Sequence, residues 1–476
     1  MEGRISSPRT NTSYPPSKMI RYSTLLTLCG SEVQPDDWSD DDDDTKNSDP
    51  ARRIQALERQ LALAKQNFVD YRALVSNQVN LPSLLEAPSS EPGSSQPTPP
   101  APRDDDTHYF KSYGENDIHA IMIQDKVRTS TYAHFILTNP VLFRDAVVLD
   151  VGCGTSILSL FAARSGAKRV IAVDASDIAE KAERIVKANG FEDIITVVRG
   201  KVEEITLPDD IKQVDIIISE WMGYALLYES MLDSVLHARD RFLRPGGVMA
   251  PSQCKMMLGL CDASEIYKDR IGFWDDVYGF DLTAMAEDLY DEAIVDVVGS
   301  NTVLSKPYAI KDLLLNEITT RQLDFSSSFT LVSTVERRTK INAFILYFDT
   351  FFTVSGHPVS QNTEVKVVKE GDVVLAEIWP AGGKAAPQRR KSLTADKDAV
   401  TSFSTGPQSL PTHWKQTLFL LREPISVAEG STVHGSFHCR KSEDNSRELD
   451  VEIHFSVKQD PEGPASEVVV QMFKVR

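Results

Sequence analysis

The chain has 476 residues, with 51 Lys and Arg against 69 Asp and Glu, and therefore carries a formal net charge of −18. This length predicts roughly two to four domains, and the acidic excess argues against direct binding of nucleic acid and is compatible with basic polypeptide partners. No uncharged apolar run reaches the roughly 18 residues of a membrane span, and the five irregularly spaced cysteines predict no disulfide framework.

The first 49 residues are typical of a disordered acidic tail, because seven of the nine residues from 36 to 44 are Asp. Such a charge block repels itself and buries no apolar surface. Two interpretations stay open for this segment: a solvated tail, and an acidic arm that recruits basic partners.

Residues 50–80 change character, because apolar residues recur there at alternating spacings of three and four from Ile54 to Val75. This period predicts either a short coiled coil or an amphipathic helix that packs on the main domain. Residues 81–107 follow as a linker rich in Pro and Ser. We therefore expect the folded core to begin at residue 108.

Residues 108–251 alternate apolar strand-like runs with helical stretches, which predicts an α/β domain with a Rossmann-like parallel sheet. The expected strands are 146–151, 170–173, 195–199, 214–219 and 247–250. Residues 252–476 are β-rich, with runs in which apolar and polar positions alternate, which favours an antiparallel, β-barrel-like second domain. Within that domain we expect a helical segment at about 264–296 and a surface insertion at 356–402.

The first expected strand runs into a Gly152-Cys153-Gly154 turn, and the second strand ends in Asp174. Glycine permits a sharp turn and a close ligand, and an acid at the end of the second strand can hold ribose hydroxyls. A dinucleotide fingerprint needs a third glycine where this chain has Ile157. A ligand without a pyrophosphate, such as S-adenosylmethionine, removes that demand, and a nicotinamide-dependent oxidoreductase is disfavoured.

Two glutamates mark a second candidate site, because Glu220 follows the strand at 214–219 and Glu229 comes nine residues later. Two carboxylates that converge on one site either share a proton or bind a cation. A guanidinium fits the second case, since it offers parallel donors to carboxylates. Far along the chain, His413 precedes a β-rich run, and a lone histidine of this kind is usually structural.

Together with Tyr109-Phe110-x-x-Tyr113 and Thr412-His413-Trp414, these motifs are similar to those of the protein arginine N-methyltransferases over residues 108–476. The resemblance implies a class I methyltransferase sheet, a barrel-like substrate domain and a homodimer formed through the segment at 264–296. It also implies type I chemistry, in which S-adenosylmethionine is consumed and arginine becomes monomethyl and asymmetric dimethyl arginine. The implied partners are arginine-containing proteins, among them Arg/Gly-rich and ribosomal ones, in the cytoplasm and also the nucleus.

The resemblance also implies a role for each matching residue. Those expected to meet the cofactor are His119, Arg128, Gly152, Gly154, Asp174, Val202 and Glu203. Those expected at the reacting end are Glu220 and Glu229, which would hold the substrate guanidinium, together with Tyr113, Met122, Met222 and a hydrogen-bonded pair of Asp125 and His413. Whether this pair takes the proton that the product loses or only stabilises the site stays open.

Three departures from the family pattern carry expectations of their own. Position 156 is Ser where the family usually has Gly, so the start of the helix must tolerate a side chain near the cofactor, and its effect on cofactor affinity stays open. Residues 1–107 contain one cysteine and no histidine, so we do not expect the zinc finger that close relatives carry. No metal site is expected elsewhere, because strand alternation explains the cluster of His434, His438 and Cys439.

The alternative function is a catalytically silent scaffold that keeps the fold and the dimer.

Overall fold

The computed structural model describes residues 105–372, 400–460 and 463–476. The predicted acidic tail, the amphipathic segment at 50–80 and residues 81–104 of the predicted linker lie outside the described residues. Residues 373–399 of the predicted insertion lie outside them as well.

A parallel sheet forms the first half of the described chain. Its strands are β1 Val147–Val151, β2 Arg169–Asp174, β3 Ile195–Arg199, β4 Val214–Ser219 and β5 Leu243–Ala250. They lie in the order β3-β2-β1-β4-β5, at the apolar runs that the sequence predicted. The order reverses between β1 and β4, so the carboxyl ends of these strands open a crevice that can hold a ligand.

Helices surround this sheet and continue beyond it. They are α1 Asp105–Ser112, α2 Asn116–Gln124, α3 Lys126–Thr138, α4 Pro140–Phe143, α5 Ile157–Arg164, α6 Ile178–Ala188, α7 Met231–Phe242 and α8 Ser264–Arg270. Helix α1 begins at Asp105, so folded structure starts ahead of the predicted residue 108. Asp105 and Asp106 occupy its first turn, where negative charge interacts favourably with the helix dipole.

The second half of the chain is antiparallel, as predicted. Its strands are β6 Gln253–Cys261, β7 Ile294–Asp296, β8 Tyr308–Leu314, β9 Phe325–Val332, β10 Thr339–Thr353, β11 Val400–Ser404, β12 Gln416–Val427, β13 Thr432–Lys441, β14 Leu449–Lys458 and β15 Val469–Val475. One sheet has the order β7-β12-β10-β6-β8 with β11 paired to β10, and the other has the order β15-β14-β13-β9. Alternate residues of β14 are buried, which explains its alternating sequence.

The two halves share one apolar core. Helix α3 contributes Tyr132 and Phe135, and both rings pack against Phe352 of β10, with centroids 4.9 and 5.2 Å apart. Aromatic pairs at such distances favour a fixed geometry. The parallel sheet and the antiparallel sheets are therefore held firmly together around the crevice.

Two predicted segments differ in detail from the structure. The segment at 264–296 contains α8 and three short 3₁₀ turns and ends in strand β7, so it is less helical than expected. It exposes large apolar side chains: Phe273, Tyr278, Phe280, Leu282 and Met285. The predicted insertion ends earlier than residue 402, because β11 begins at Val400 and pairs with the last five residues of β10.

On strand β13, Cys439 is buried among core residues, whereas His434 is exposed on the opposite face and His438 is half-buried there. This arrangement follows the side-chain alternation of a strand.

Among the described residues, no helix has the length and apolar character required to cross a membrane.

Candidate functional site

A cleft opens at the carboxyl ends of β1, β2 and β4, at the strand reversal of the parallel sheet. Helices α1 and α2 cover one side of it, and the antiparallel half contributes His413 and Arg447. Every residue predicted for the site lines this cleft except Asp125, which lies directly behind His413. The cleft therefore brings together the predicted cofactor residues and the predicted substrate residues.

The glycine turn has the backbone that its sequence predicted. Gly152 and Gly154 both have left-handed φ angles, +71° and +52°. A Cβ added to Gly152 would lie 2.2 Å from Cε of Met231, and one added to Gly154 would lie 3.2 Å from the His119 ring. The turn thus forms a cradle that a side chain would fill, which fits a nucleoside ligand lying against bare backbone.

Asp174 lies beside this turn at the end of β2. One carboxylate oxygen accepts the Gly154 amide at 2.9 Å, and the other accepts the amide and the hydroxyl of Ser176 at 2.9 and 2.7 Å. The carboxylate thus holds the turn in shape while facing the cleft. Val202 and Glu203 line the cleft from the loop after β3, where the resemblance placed them beside an adenine.

Ser156 follows the glycine turn at the start of helix α5. Its side chain is fully buried beneath the turn, outside the cleft lining, and its hydroxyl contacts Sγ of Cys153 at 3.6 Å. This side chain therefore does not face the cleft, although Cys153, which it contacts, lines it. What Ser156 does carry is backbone strain, because its φ angle of +64° is left-handed.

We expect Ser156→Gly to raise the stability of the fold by about 1 kcal/mol, since glycine adopts a left-handed φ without the Cβ penalty. The affinity for S-adenosylmethionine should stay within about twofold, because the hydroxyl is outside the cleft. Thermal unfolding and calorimetry check both expectations. Ser165→Gly, at the right-handed end of the same helix, is the control that should lower the unfolding temperature. A large change in cofactor affinity in Ser156→Gly would contradict this interpretation.

The first glutamate is paired inside the protein. Arg128 donates from Nε to Oε2 of Glu220 at 2.8 Å, and both side chains are less than a tenth exposed. Burial by itself would lower the pKa of Arg128, but the charge and hydrogen bond of Glu220 raise it overall, so the guanidinium stays charged. The family resemblance implies that Arg128 meets the cofactor carboxylate, and in the structure Arg128 also pairs with Glu220, which the resemblance assigns to the substrate.

The second glutamate has a different environment. Oε2 of Glu229 accepts the hydroxyl of Tyr113 at 2.7 Å, and the nearby Glu220 adds a like charge. Burial is the main cause that raises the pKa of Glu229 to about 7, and the proximity of Glu220 adds to it, while the Tyr113 hydrogen bond opposes it. A buried carboxylate of this kind is stabilised by an incoming cation.

Asp125 and His413 form the predicted pair. Oδ2 of Asp125 accepts both the amide and Nδ1 of His413, at 2.9 and 2.8 Å, and Oδ1 accepts the Arg128 amide at 2.9 Å. Burial would raise the pKa of Asp125, but the His413 hydrogen bond and the two amides lower it. The same carboxylate caps helix α3 and fastens the cleft to the antiparallel half.

Several lining residues had no sequence prediction. Trp221 and Met231 follow the two glutamates and fill the cleft wall, while Arg447 reaches it from the turn between β13 and β14. The glutamate loop itself marked the first two as neighbours of the site. No local pattern marked Arg447, because it approaches the glutamates only through the packing of distant strands.

The chain matches two family models. Residues 253–366 and 392–460 match the one described as the arginine methyltransferase oligomerization subdomain, and residues 148–247 match the one described as a methyltransferase domain. The boundary between the matches lies close to the junction of the parallel and antiparallel halves.

Curated relatives are similar over most of this chain. Protein arginine N-methyltransferase 1 of Schizosaccharomyces pombe is 40% identical over 369 residues, which are 78% of this chain and 94% of that protein. Ribosomal protein arginine N-methyltransferase rmt3 of the same organism is 40% identical over 75% of this chain, and the match spans only 59% of rmt3. Among solved structures, the Trypanosoma brucei PRMT1 enzyme-prozyme heterotetrameric complex with AdoHcy is 35% identical over 77% of this chain and all of that chain, with a TM-score of 0.63.

Proposed function

This chain belongs to the protein arginine N-methyltransferases, which use S-adenosylmethionine to methylate arginine in proteins, and we propose that it makes monomethyl and asymmetric dimethyl arginine. The observation that carries the proposal is the meeting of Glu220, Glu229 and the Gly152–Gly154 turn in one cleft. A silent scaffold would not require a cleft that keeps two carboxylates and a complete cofactor cradle.

We assign the two glutamates to the substrate guanidinium. Arginine is a poor nucleophile, because its charge is delocalised and its pKa exceeds about 12. Carboxylates that hold two of its nitrogens draw positive charge toward them and leave the third nitrogen oriented for attack. S-adenosylmethionine supplies an electrophilic methyl group on sulfur, and the glycine turn, Asp174, Val202 and Glu203 are the residues that would hold it.

Arg128 links the two halves of the site. Through Nε it fixes Glu220, and it also lines the cleft where the carboxylate of the cofactor is expected. A fixed glutamate restricts the guanidinium to one orientation, which is where proximity contributes most to the rate. Tyr113 acts on Glu229 in the same way, through its hydroxyl. Met122 and Met222 complete the wall at the proposed reacting end.

The acid limb of kcat/KM should fall near pH 7. Glu229 must be ionised to hold a cation, and its pKa in the free enzyme is about 7, so activity should decrease as the pH falls through that value. Tyr113→Phe removes a hydrogen bond that favours the ionised form, and should shift the limb to higher pH. Initial rates between about pH 5.5 and 8.5 test this. An acid limb below about pH 5 in both proteins would contradict the assignment.

For Asp125 and His413 we propose a mainly structural role, supported by the three hydrogen bonds that the Asp125 side chain accepts. Asp125→Asn should then destabilise the fold by about 2 kcal/mol, because a buried cap and a charged hydrogen bond weaken together. Thermal unfolding measures this loss. If His413 were instead the outlet for the proton, Asp125→Asn would lower kcat at unchanged stability.

The product and substrate class have a direct test. Incubation with S-adenosylmethionine and an Arg-Gly-rich peptide, followed by amino-acid analysis, should give monomethyl and then asymmetric dimethyl arginine. Symmetric dimethylarginine would refute the type I proposal.

We also propose a nearer likeness to protein arginine N-methyltransferase 3, supported by residues 273–280 and 404–409, and by the match to rmt3. Methylation of a small-subunit ribosomal protein in extracts tests that likeness.

We propose that the chain forms a homodimer through the segment at 264–296. The exposed apolar side chains of Phe273, Tyr278, Phe280 and Met285 support this, because a patch of this kind needs a partner. The match to an oligomerization subdomain covers the same segment. Light scattering of the purified chain should give twice the monomer mass.

For the location of the protein in the cell we propose the cytoplasm and also the nucleus, which cell fractionation tests.

A further inference from the structure

The turn at 442–448, between β13 and β14, makes contacts that the proposed function does not use. Arg447 lies in this turn and forms hydrogen bonds with both backbone groups of Glu229. Its carbonyl oxygen accepts the Glu229 amide at 2.7 Å, and its Nη1 donates to the Glu229 carbonyl at 2.6 Å. One residue of the antiparallel half thus fixes both backbone groups of the second glutamate.

The backbone of the glutamate loop requires such support. Glu229 and Ser230 have consecutive left-handed φ angles, +75° and +57°, which residues with a side chain adopt only at an energetic cost. The hydroxyl of Ser230 donates to the carbonyl of Ser446 at 2.7 Å. Two consecutive residues of the turn therefore hold two consecutive strained residues of the loop.

The same turn also holds helix α1. Nη2 of Arg447 donates to Oδ1 of Asp106 at 2.6 Å, and the guanidinium lies 3.7 Å from the centre of the Tyr109 ring. The amide of Ser446 donates to Oδ2 of Asp105 at 3.2 Å. Helix α1 leads directly to Tyr113, whose hydroxyl binds the carboxylate of Glu229. Arg447 consequently secures both the glutamate and the tyrosine that orients it.

We propose that Arg447 is a positioning residue for methyl transfer: it presets the Glu229 backbone and fastens α1 over the cleft before the substrate binds. The inference rests on the role proposed above for Glu229. Only an arginine fits this task, because its planar fork directs one nitrogen to the loop and another to the helix. A lysine in its place would reach one of the two partners.

The charge of Arg447 acts on Glu229 as well. It is one of the influences that lower the pKa of this carboxyl, against the stronger effect of burial. Removing the charge should therefore move the acid limb of kcat/KM to higher pH. A residue that merely joined two loops would leave this limb in place.

The test compares Arg447→Gln, Arg447→Lys and Asp106→Asn with the parent enzyme. The control is Arg440→Gln, on the same hairpin but outside the cleft, whose side chain is 58% exposed. For each protein we measure the affinity for S-adenosylmethionine by calorimetry, and kcat and KM on an Arg-Gly-rich peptide with their pH dependence. Hydrogen–deuterium exchange is measured in segments 105–113 and 225–231.

We expect Arg447→Gln to lower kcat about 50-fold, to shift the acid limb upward and to speed exchange in both segments. Arg447→Lys should lower kcat about tenfold with the acid limb unmoved, because the charge remains. Asp106→Asn should speed exchange only in 105–113, and Arg440→Gln should change nothing.

A kcat within twofold of the parent in Arg447→Gln, or an unmoved acid limb, overturns the proposal. If that variant does not fold, Arg447→Lys and Asp106→Asn decide it: parent-like kcat in the first, or parent-like exchange at 105–113 in the second, overturns it equally. Exchange does not depend on turnover. A fully active Glu229→Gln would therefore refute the glutamate clamp, while the exchange data would still report on the Arg447 contacts.

Discussion

Glu229→Gln should lower kcat/KM about a thousandfold, which corresponds to roughly 4 kcal/mol of transition-state stabilisation. The amide keeps the size of the side chain and can still accept the Tyr113 hydroxyl, but it removes one of the two charges that face the guanidinium. A buried cation that loses its partner charge is strongly destabilised. The affinity for S-adenosylmethionine should stay within about threefold, because the glycine turn is unchanged.

Steady-state kinetics on an Arg-Gly-rich peptide and calorimetry with the cofactor separate these two effects. Glu229→Asp keeps the charge and withdraws it by one methylene, so it should retain part of the activity. Glu192→Gln, an exposed glutamate near the start of β3, should behave as the parent does. Normal turnover in Glu229→Gln would refute the carboxylate clamp.

Gly152→Ala should weaken the binding of S-adenosylmethionine about 50-fold and lower kcat/KM to a similar extent. The new methyl group would lie 2.2 Å from Cε of Met231, so the end of this side chain, which lines the cleft, must shift. In addition, alanine pays for the left-handed φ angle of +71°. The loss therefore falls on cofactor binding, whereas Glu229→Gln should affect the substrate step alone.

Gly190→Ala provides a matched control. Gly190 has a nearly identical φ angle of +70°, but a Cβ there would meet no atom within 4 Å. It should cost about 1 kcal/mol of stability and leave cofactor affinity unchanged. If calorimetry gave both variants the parent affinity, the glycine turn would not be the cofactor cradle.

The two variants report on different halves of one cleft. The glycine turn belongs to the parallel sheet, and Glu229 is held by contacts with the antiparallel half. A protein in which only the cofactor half worked would bind S-adenosylmethionine and transfer nothing. Separate losses of binding and of turnover would therefore support a site assembled from both halves.

The sequence by itself determined the parallel sheet and the glycine turn. Buried apolar runs and left-handed glycines are local requirements, so they can be recognised wherever they occur along the chain. The spacing of Glu220 and Glu229 also indicated a cation site, because both residues belong to one short loop. The start of helix α1 was not predicted from the sequence, because the acidic residues of its first turn were assigned to the linker.

Only the tertiary structure decided how the glutamates are held. Arg447 is 218 positions from Glu229, and His413 is 288 positions from Asp125. The family resemblance implied the second pair, but nothing in the chain indicated the first. Such contacts depend on how strands from distant segments pack. The raised pKa of Glu229 likewise depends on how deeply the fold buries this carboxyl. Local spacing encodes neither the contacts nor the pKa shift, because both arise from the surroundings that the whole fold creates.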